Sequence, residues 1–264
     1  MINNPTPYPE INHLLRELYV GVREILGEQL VGMYLDGSLV IGDFDRESDV
    51  DFVAVTEGEI AEETFLRLQE MHDRLSQMDT VWAIQLEGSY LSRQAIRRFD
   101  PRYILYPNIE RGKGERLKIT DHGWEWDTHR WVLREHGIAL AGPPPQTLID
   151  PVGAEDLREA MRALLAGWAT KLLEEPERMK GFGYQPYIVL SMCRALYTLT
   201  FGRVVSKARA AEWAQESLDG RWRSVVARAW AGRLNPGSEP SPEIVEETVE
   251  FIRYVMERSR EFQG

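Results

Sequence analysis

Two carboxylates two residues apart, Asp49 and Asp51, sit in and just before the apolar run Val50 to Val55, a short turn after the pair Gly37-Ser38. Residues at i and i+2 of a strand point to the same face, so the two acids share one environment. Like charges at that spacing repel unless neutralised, and an unpaired acid in so apolar a run is costly to bury. A hard divalent cation such as Mg2+ answers both problems, because it takes carboxylate oxygens and keeps positions open for substrate phosphates. Gly37 lets a phosphate approach the backbone closely, and the hydroxyl and amide of Ser38 suit its oxygens. Ser48, beside the acid pair, joins Gly37 and Ser38 as a candidate nucleotide contact. Asp-x-Asp alone is common on solvated strands. Joined to Gly-Ser in this apolar setting, it points to group transfer from a metal-bound nucleotide.

This combination resembles the signature of the DNA polymerase beta-like nucleotidyltransferase superfamily. In that superfamily a third carboxylate comes from a strand beside the one that bears the pair. Glu87 is the candidate, at the end of Val81 to Leu86, a run that reads as a strand. Its expected role is to take the proton from the attacking hydroxyl while sharing the metal environment of Asp49 and Asp51. The plain alternative is a solvated acid at a strand end.

The elements that must hold these groups follow from hydrophobic period. Ile11, Leu14, Leu15, Leu18, Val22 and Leu26 form a helical stripe over Pro9 to Gln29, ahead of a strand over Val31 to Leu35. A second helix is expected from Gly58 to Met78. Arg93 to Lys118 has no clear period and reads as a long connection, a candidate lid. Trp124 and Glu125 lie in a stretch of aromatics and acids suited to a cationic, sugar-like ligand, the alternative being that its aromatics are core. Ile138 to Ala141 reads as a short strand, and Pro143-Pro144-Pro145 as a stiff joint.

From Ala154 onward the pattern is helical throughout, with Glu212 to Ala231 and Pro242 to Gln263 as the last helices of a small bundle. The expected fold class is therefore α+β: an N-terminal mixed sheet flanked by helices in residues 1–150, then an all-α bundle in 151–264 that closes a cleft over the first domain. Within the bundle, Arg194 interrupts an apolar face and Lys207 follows a turn, and both are candidates to reach triphosphate oxygens. The competing readings are a partner for a buried acid and a solvated residue at a helix start.

At 43% hydrophobic and 28% charged residues the chain has the composition of an ordinary soluble protein. No apolar run reaches the length of a membrane span, and Met1-Ile2-Asn3-Asn4-Pro5 lacks the features of a signal peptide, so a cytoplasmic monomer is expected. With Cys193 the only cysteine, no intrachain disulfide or cysteine-based zinc site can form. A net charge of −11 argues against a nucleic acid polymer as substrate and favours a cationic one by electrostatic steering.

Gly37-Ser38, Asp49-Val50-Asp51, Glu87, the joint Leu140-Ala141-Gly142-Pro143 with Asp150-Pro151-Val152, and Arg194 through Ser206-Lys207 to Glu212-Trp213-Ala214 together resemble the aminoglycoside adenylyltransferases that modify streptomycin and spectinomycin. The resemblance implies transfer of AMP from Mg2+-bound ATP to a hydroxyl of such an antibiotic. It makes Asp49 and Asp51 the metal ligands and Glu87 the base, and puts Ser38, Arg194 and Lys207 on ATP. Enzymes acting on both drugs carry an acid ahead of the helix that bears Arg194, where this chain has Gly183-Tyr184-Gln185-Pro186-Tyr187. Tyr184 and Gln185 are thus the expected drug contacts there. Spectinomycin is expected over streptomycin, whose guanidinium groups call for a carboxylate. Glu125 or Asp127 is the alternative source of that charge. Two further readings are the same chemistry on another small molecule or a protein hydroxyl, and a non-catalytic nucleotide-binding regulator, which has no use for a base beside the metal.

Overall fold

The computed structural model describes residues 4–181, 183–233 and 240–262. The chain divides into two compact units, Met1–Pro151 and Val152–Gly264.

The first unit opens with α1 (Pro9–Leu26), whose apolar stripe Ile11, Leu14, Leu15, Leu18 and Val22 is wholly buried. Pro9 stands in the first turn, where its missing N–H costs nothing, and Gly27 ends the helix at φ 53°. A 3-10 turn (Gly27–Gln29) then leads into β1 (Leu30–Leu35). In order follow α2 (Ser38–Ile41), β2 (Val50–Thr56), α3 (Glu62–Leu75), β3 (Leu86–Ser92), α4 (Arg93–Arg97), β4 (Leu105–Ile109), β5 (Lys118–Asp121), α5 (Asp127–His136) and β6 (Ile138–Ala141). The strands form one mixed sheet in the order β5-β4-β3-β2-β1-β6, in which β2 and β3 run parallel and the other neighbours antiparallel.

Alternation along β1 and β2 explains why both faces of this sheet are dry. Met33, Leu35, Phe52 and Ala54 pack under α1 and α3. Tyr34, Val53 and Val55 face the other way, with Leu91 of β3, Ile96 of α4 and Leu133 of α5. Asp51 shares the parity of Val53 and Val55, so its carboxylate belongs to the α4–α5 face.

Three expectations for this unit need correction. Val81–Ile84 is a 3-10 turn rather than a strand, and Val81 is 70% exposed. The strand lies further on, at Leu86–Ser92, because residue-by-residue pairing from Val50↔Leu86 to Thr56↔Ser92 buries this more polar run. Gly88 is required there, since a Cβ would sit 2.1 Å from the Phe52 ring. Residues 93–118 are not a structureless connection, because they carry α4 and β4 and end on the first residue of β5. The second helix is also shorter than Gly58 to Met78, starting at Glu62 and ending at Leu75.

The second unit is helical: α6 (Ala154–Leu164), a π-helical segment (Leu165–Ala169), α7 (Thr170–Glu174), a 3-10 turn (Pro176–Lys180), α8 (Tyr184–Phe201), α9 (Lys207–Ser217), α10 (Trp222–Gly232) and α11 (Pro242–Ser259). Buried residues encircle α8, from Ile188 and Val189 to Leu199, because α6, α9, α10 and α11 surround it. The stretch Glu212 to Ala231 is two helices, parted at Leu218 to Arg221 around Gly220. The last helix stops at Ser259 in a further 3-10 turn (Arg260–Phe262), and Gln263 falls outside the described residues. Cys193 is buried in this core, and no described helix is long and apolar enough to cross a membrane.

Candidate active site

The parallel register places Asp51 directly beside Glu87, each the second residue of its strand. Asp49 enters from the residue just before β2. One carboxylate oxygen from each of the three acids lies within 4.8 Å of the others, an arrangement that can hold a divalent cation. Gly37 has φ 64°, and a Cβ there would stand 2.0 Å from Asp51 Oδ2, so only glycine lets the chain pass this close to the acid. Ser38 begins α2, and its hydroxyl oxygen is buried with no hydrogen-bond partner. Three clustered carboxylates, a backbone pressed against one of them and an unsatisfied hydroxyl fit a cation that carries phosphate.

The electrostatics agree with that fit. Arg111 pairs with Asp49 and also donates to the Glu47 carbonyl at 3.3 Å. Burial pushes the Glu87 carboxyl above its ordinary range and the negative charge of Asp49 pushes it further, while Arg111 pulls it partly back. A carboxyl raised by burial and by a neighbouring acid, in a cluster of three, marks a candidate functional site.

Asp36 and His129 complete this end of the sheet. Asp36 is only 3% exposed, and its amide donates to the Asp51 carbonyl at 3.1 Å. Its Oδ2 lies 3.1 Å from His129 Nδ1, whereas Oδ1 is buried without a partner. Sequence reasoning missed Arg111, Asp36 and His129. Arg111 lay in the stretch read as a loop, and 93 positions separate the other two. The available signal was an acid placed immediately before Gly37-Ser38.

The remaining sequence candidates are placed as follows. Ser48 is buried, and its hydroxyl accepts from the Asp45 amide (2.9 Å) and donates to Asp45 Oδ1 (3.2 Å), closing the turn that delivers Asp49. Glu125 turns back on its own loop, accepting from the Gly123 amide at 2.8 Å. Trp124 opens a 3-10 turn (Trp124–Trp126), and its side chain lies outside what the structure describes. Asp127 cannot serve as a spare drug carboxylate, because it is buried and bound to the wholly buried Arg130 at 2.7 Å.

Within the second unit, the Tyr184 hydroxyl accepts from Trp168 Nε1 at 3.0 Å, and its ring stacks on Tyr187 at 5.9 Å and 12°. Gln185 is buried and donates to Thr248 Oγ1 at 2.8 Å. Arg194 is half-buried along α8. Lys207 is the first residue of α9, which Ser206 caps by accepting from the Arg209 amide, and its Nζ stands 4.9 Å over the Tyr187 ring.

The mixed sheet with its acid cluster defines a nucleotidyltransferase domain, and residues 17–103 match the family described as nucleotidyltransferase domain. Residues 147–258 match the aminoglycoside adenylyltransferase C-terminal domain. The chain is 27% identical over 222 residues to a spectinomycin 9-adenylyltransferase of Staphylococcus aureus, an alignment covering 81% of this chain and 80% of the relative. It is 26% identical over 266 residues to an aminoglycoside (3'') (9) adenylyltransferase of Escherichia coli, covering 93% and 94%. The crystal structure of a spectinomycin adenylyltransferase from Enterococcus faecalis, solved with ATP and spectinomycin, superposes with a TM-score of 0.73 at 15% identity over 94% of this chain and 98% of that one. The chain thus joins a nucleotidyltransferase domain to a second region that matches the aminoglycoside adenylyltransferase C-terminal domain, it is similar along most of its length to aminoglycoside adenylyltransferases, and its reaction is nucleotidyl transfer.

Proposed function

We propose that the protein transfers AMP from Mg2+-bound ATP to a hydroxyl of an aminoglycoside-type antibiotic, with spectinomycin preferred to streptomycin. The observation that carries the reading is the meeting of Asp49, Asp51 and Glu87 beside Gly37-Ser38. Mg2+ held by Asp49 and Asp51, with Glu87 at its edge, would supply positive charge to the triphosphate. Gly37 leaves room for a phosphate against the backbone, and the Ser38 hydroxyl, otherwise unsatisfied, donates to its oxygen. Glu87 takes the proton of the acceptor hydroxyl as that oxygen attacks the α-phosphorus and the bond to pyrophosphate breaks. Arg194 and Lys207 are assigned by resemblance to the charge on the triphosphate. Ser48 acts at one remove, by fixing the turn ahead of Asp49.

The proposed substrates are ATP and a cationic antibiotic, handled by a single chain in the cytoplasm without a nucleic acid polymer. Relatives named for spectinomycin support the acceptor class. The preference rests on charge: the segment Gly183 to Tyr187, which by resemblance corresponds to the place of the acid in enzymes acting on both drugs, holds no acid, and Asp127 is spent on Arg130. A guanidinium brought to such a place would lose water without gaining a carboxylate. Labelled ATP offered with each drug in parallel tests both levels. Transfer to spectinomycin and little to streptomycin is expected, with Tyr184→Asp gaining streptomycin activity. Equal use of both drugs by the wild type would remove the preference, and no transfer to either would remove the antibiotic reading.

A further inference from the structure

The pair Asp36 and His129 lies beside the acid cluster yet has no place in the transfer chemistry above. Asp36 follows β1 on one side of Asp51, and Glu87 stands on the other side in β3. His129 is one helical turn before Leu133, the α5 residue that packs on the sheet face to which Asp51 belongs, so the same stripe of α5 brings its ring over this end of the sheet. The ring is held from both sides, by Asp36 through Nδ1 and by the Trp126 ring at 5.1 Å.

The chemistry of this pair fixes what it lacks. An ionised Asp36 only accepts hydrogen bonds, so His129 Nδ1 carries the proton of their 3.1 Å contact. In the neutral ring Nε2 is then left as an acceptor, on a side chain 56% exposed. Asp36 Oδ1 is a second acceptor without a partner. Oδ1 is buried, so the exposed Nε2 is the position a ligand can meet, and as an acceptor it wants a donor. A triphosphate presents acceptors to it, whereas an acceptor molecule rich in hydroxyl and ammonium groups presents donors.

We infer that His129, held by the buried carboxylate of Asp36, binds a hydroxyl or ammonium group of the acceptor substrate through Nε2 and helps set which acceptor is used. Asp36 is a positioning residue. It fixes the tautomer and ring plane and adds negative charge beneath the ring, which favours a cationic acceptor. This deepens the proposed antibiotic reading and rests on it.

Steady-state kinetics with spectinomycin and Mg-ATP test the assignment on His129→Leu, His129→Gln and Asp36→Asn, each checked for an unchanged thermal midpoint. His129→Leu should raise KM for spectinomycin about tenfold, the scale of one lost hydrogen bond to a charged or strongly polar group, with KM for ATP and kcat within about twofold. His129→Gln, which can donate to Asp36 and still accept, should recover most of the loss. Asp36→Asn can supply an amide donor to Nδ1 and so release the tautomer, and its defect should again fall on the acceptor alone. An unchanged KM for spectinomycin in His129→Leu, or an equal rise for ATP, overturns the assignment while the transferase reading stands. A wild-type protein that neither modifies nor, by calorimetry, binds spectinomycin overturns the reading and the assignment together.

Discussion

Two places in the first unit take charge out of water, and they are finished differently. On α5, Arg130 is completely buried, yet each of its three guanidinium nitrogens donates a hydrogen bond. It donates to Asp127 (2.7 Å) and to the carbonyls of Ala95 (2.8 Å) and Ile96 (3.3 Å) near the end of α4, and it lies over the Trp126 ring at 5.5 Å. The group is closed: donors meet acceptors, and the helix end gains partners for its free carbonyls. At the acid end of the sheet the opposite holds. Asp49, Asp51 and Glu87 converge with Arg111 as the cation that pairs with Asp49, and Ser38 and Asp36 keep polar atoms with no partner. Buried polar groups left open are destabilising unless a ligand completes them. The contrast therefore separates charge that holds the fold from charge that waits for a substrate.

The largest effect expected of this contrast is at Asp51. Asp51→Asn removes a carboxylate oxygen of the proposed metal site and one of three repelling charges, so AMP transfer should drop to background while the thermal midpoint of the metal-free protein stays level or rises. Wild-type turnover by this variant would collapse the distinction between the two regions. Next comes the closed pair. Arg130→Ala takes the ion-pair partner from the buried Asp127, a change worth about 3–5 kcal/mol of unfolding free energy in urea, without any primary effect on the acid cluster. A loss under about 1 kcal/mol would mean that water reaches the pair and that it is not closed. Smaller again is Glu87→Gln, for which ATP binding by calorimetry should persist while transfer falls about a hundredfold, the usual scale for a lost general base. Loss of ATP binding instead would make Glu87 a metal ligand first and a base second.

How much of this was legible beforehand follows from the range of the interactions. Gly37-Ser38 and Asp49-Val50-Asp51 could be read because their function depends on local spacing, and the stripe of α1 because its period is local too. Strand β3 was misplaced for a physical reason. Val81-Trp82-Ala83-Ile84 is apolar in composition but exposed at both Val81 and Ile84, whereas Glu87-Gly88-Ser89 is polar in composition yet half-buried at Glu87 and buried at Gly88 and Ser89 by pairing with β2. Glu87 was still found, since either reading leaves it next to Leu86. Pro107 hid β4, and the short, exposed β5 at the sheet edge gave no period to find. Asp36–His129 and Asp49–Arg111 join residues far apart in the chain, and nothing in a single sequence announces such pairs.

The smallest expected effect sharpens the comparison through pH. His72, buried against the Tyr90 hydroxyl at 2.7 Å, and His122, enclosed by the rings of Phe99, Tyr106 and Trp126, are both held neutral by burial, which lowers each to about 4. Between that value and the ordinary 6.5 the unfolded chain binds protons that the folded chain refuses. Stability is therefore whole above the ordinary value and is lost as pH falls towards the depressed one, by about 2 kcal/mol per histidine at pH 5. Glu87 runs the other way in the metal-free protein. Its raised carboxyl binds a proton more readily folded than unfolded, so its contribution is full below the ordinary carboxylate range and fades as pH climbs through the raised value. Urea unfolding at pH 7 and pH 5 should show a net loss on acidification. His72→Gln should shrink that loss, and Glu87→Gln should enlarge it. Identical pH slopes in wild type and His72→Gln would mean that water reaches the His72 ring, and an unchanged slope in Glu87→Gln would mean that burial and Asp49 do not hold the Glu87 carboxyl above its ordinary range.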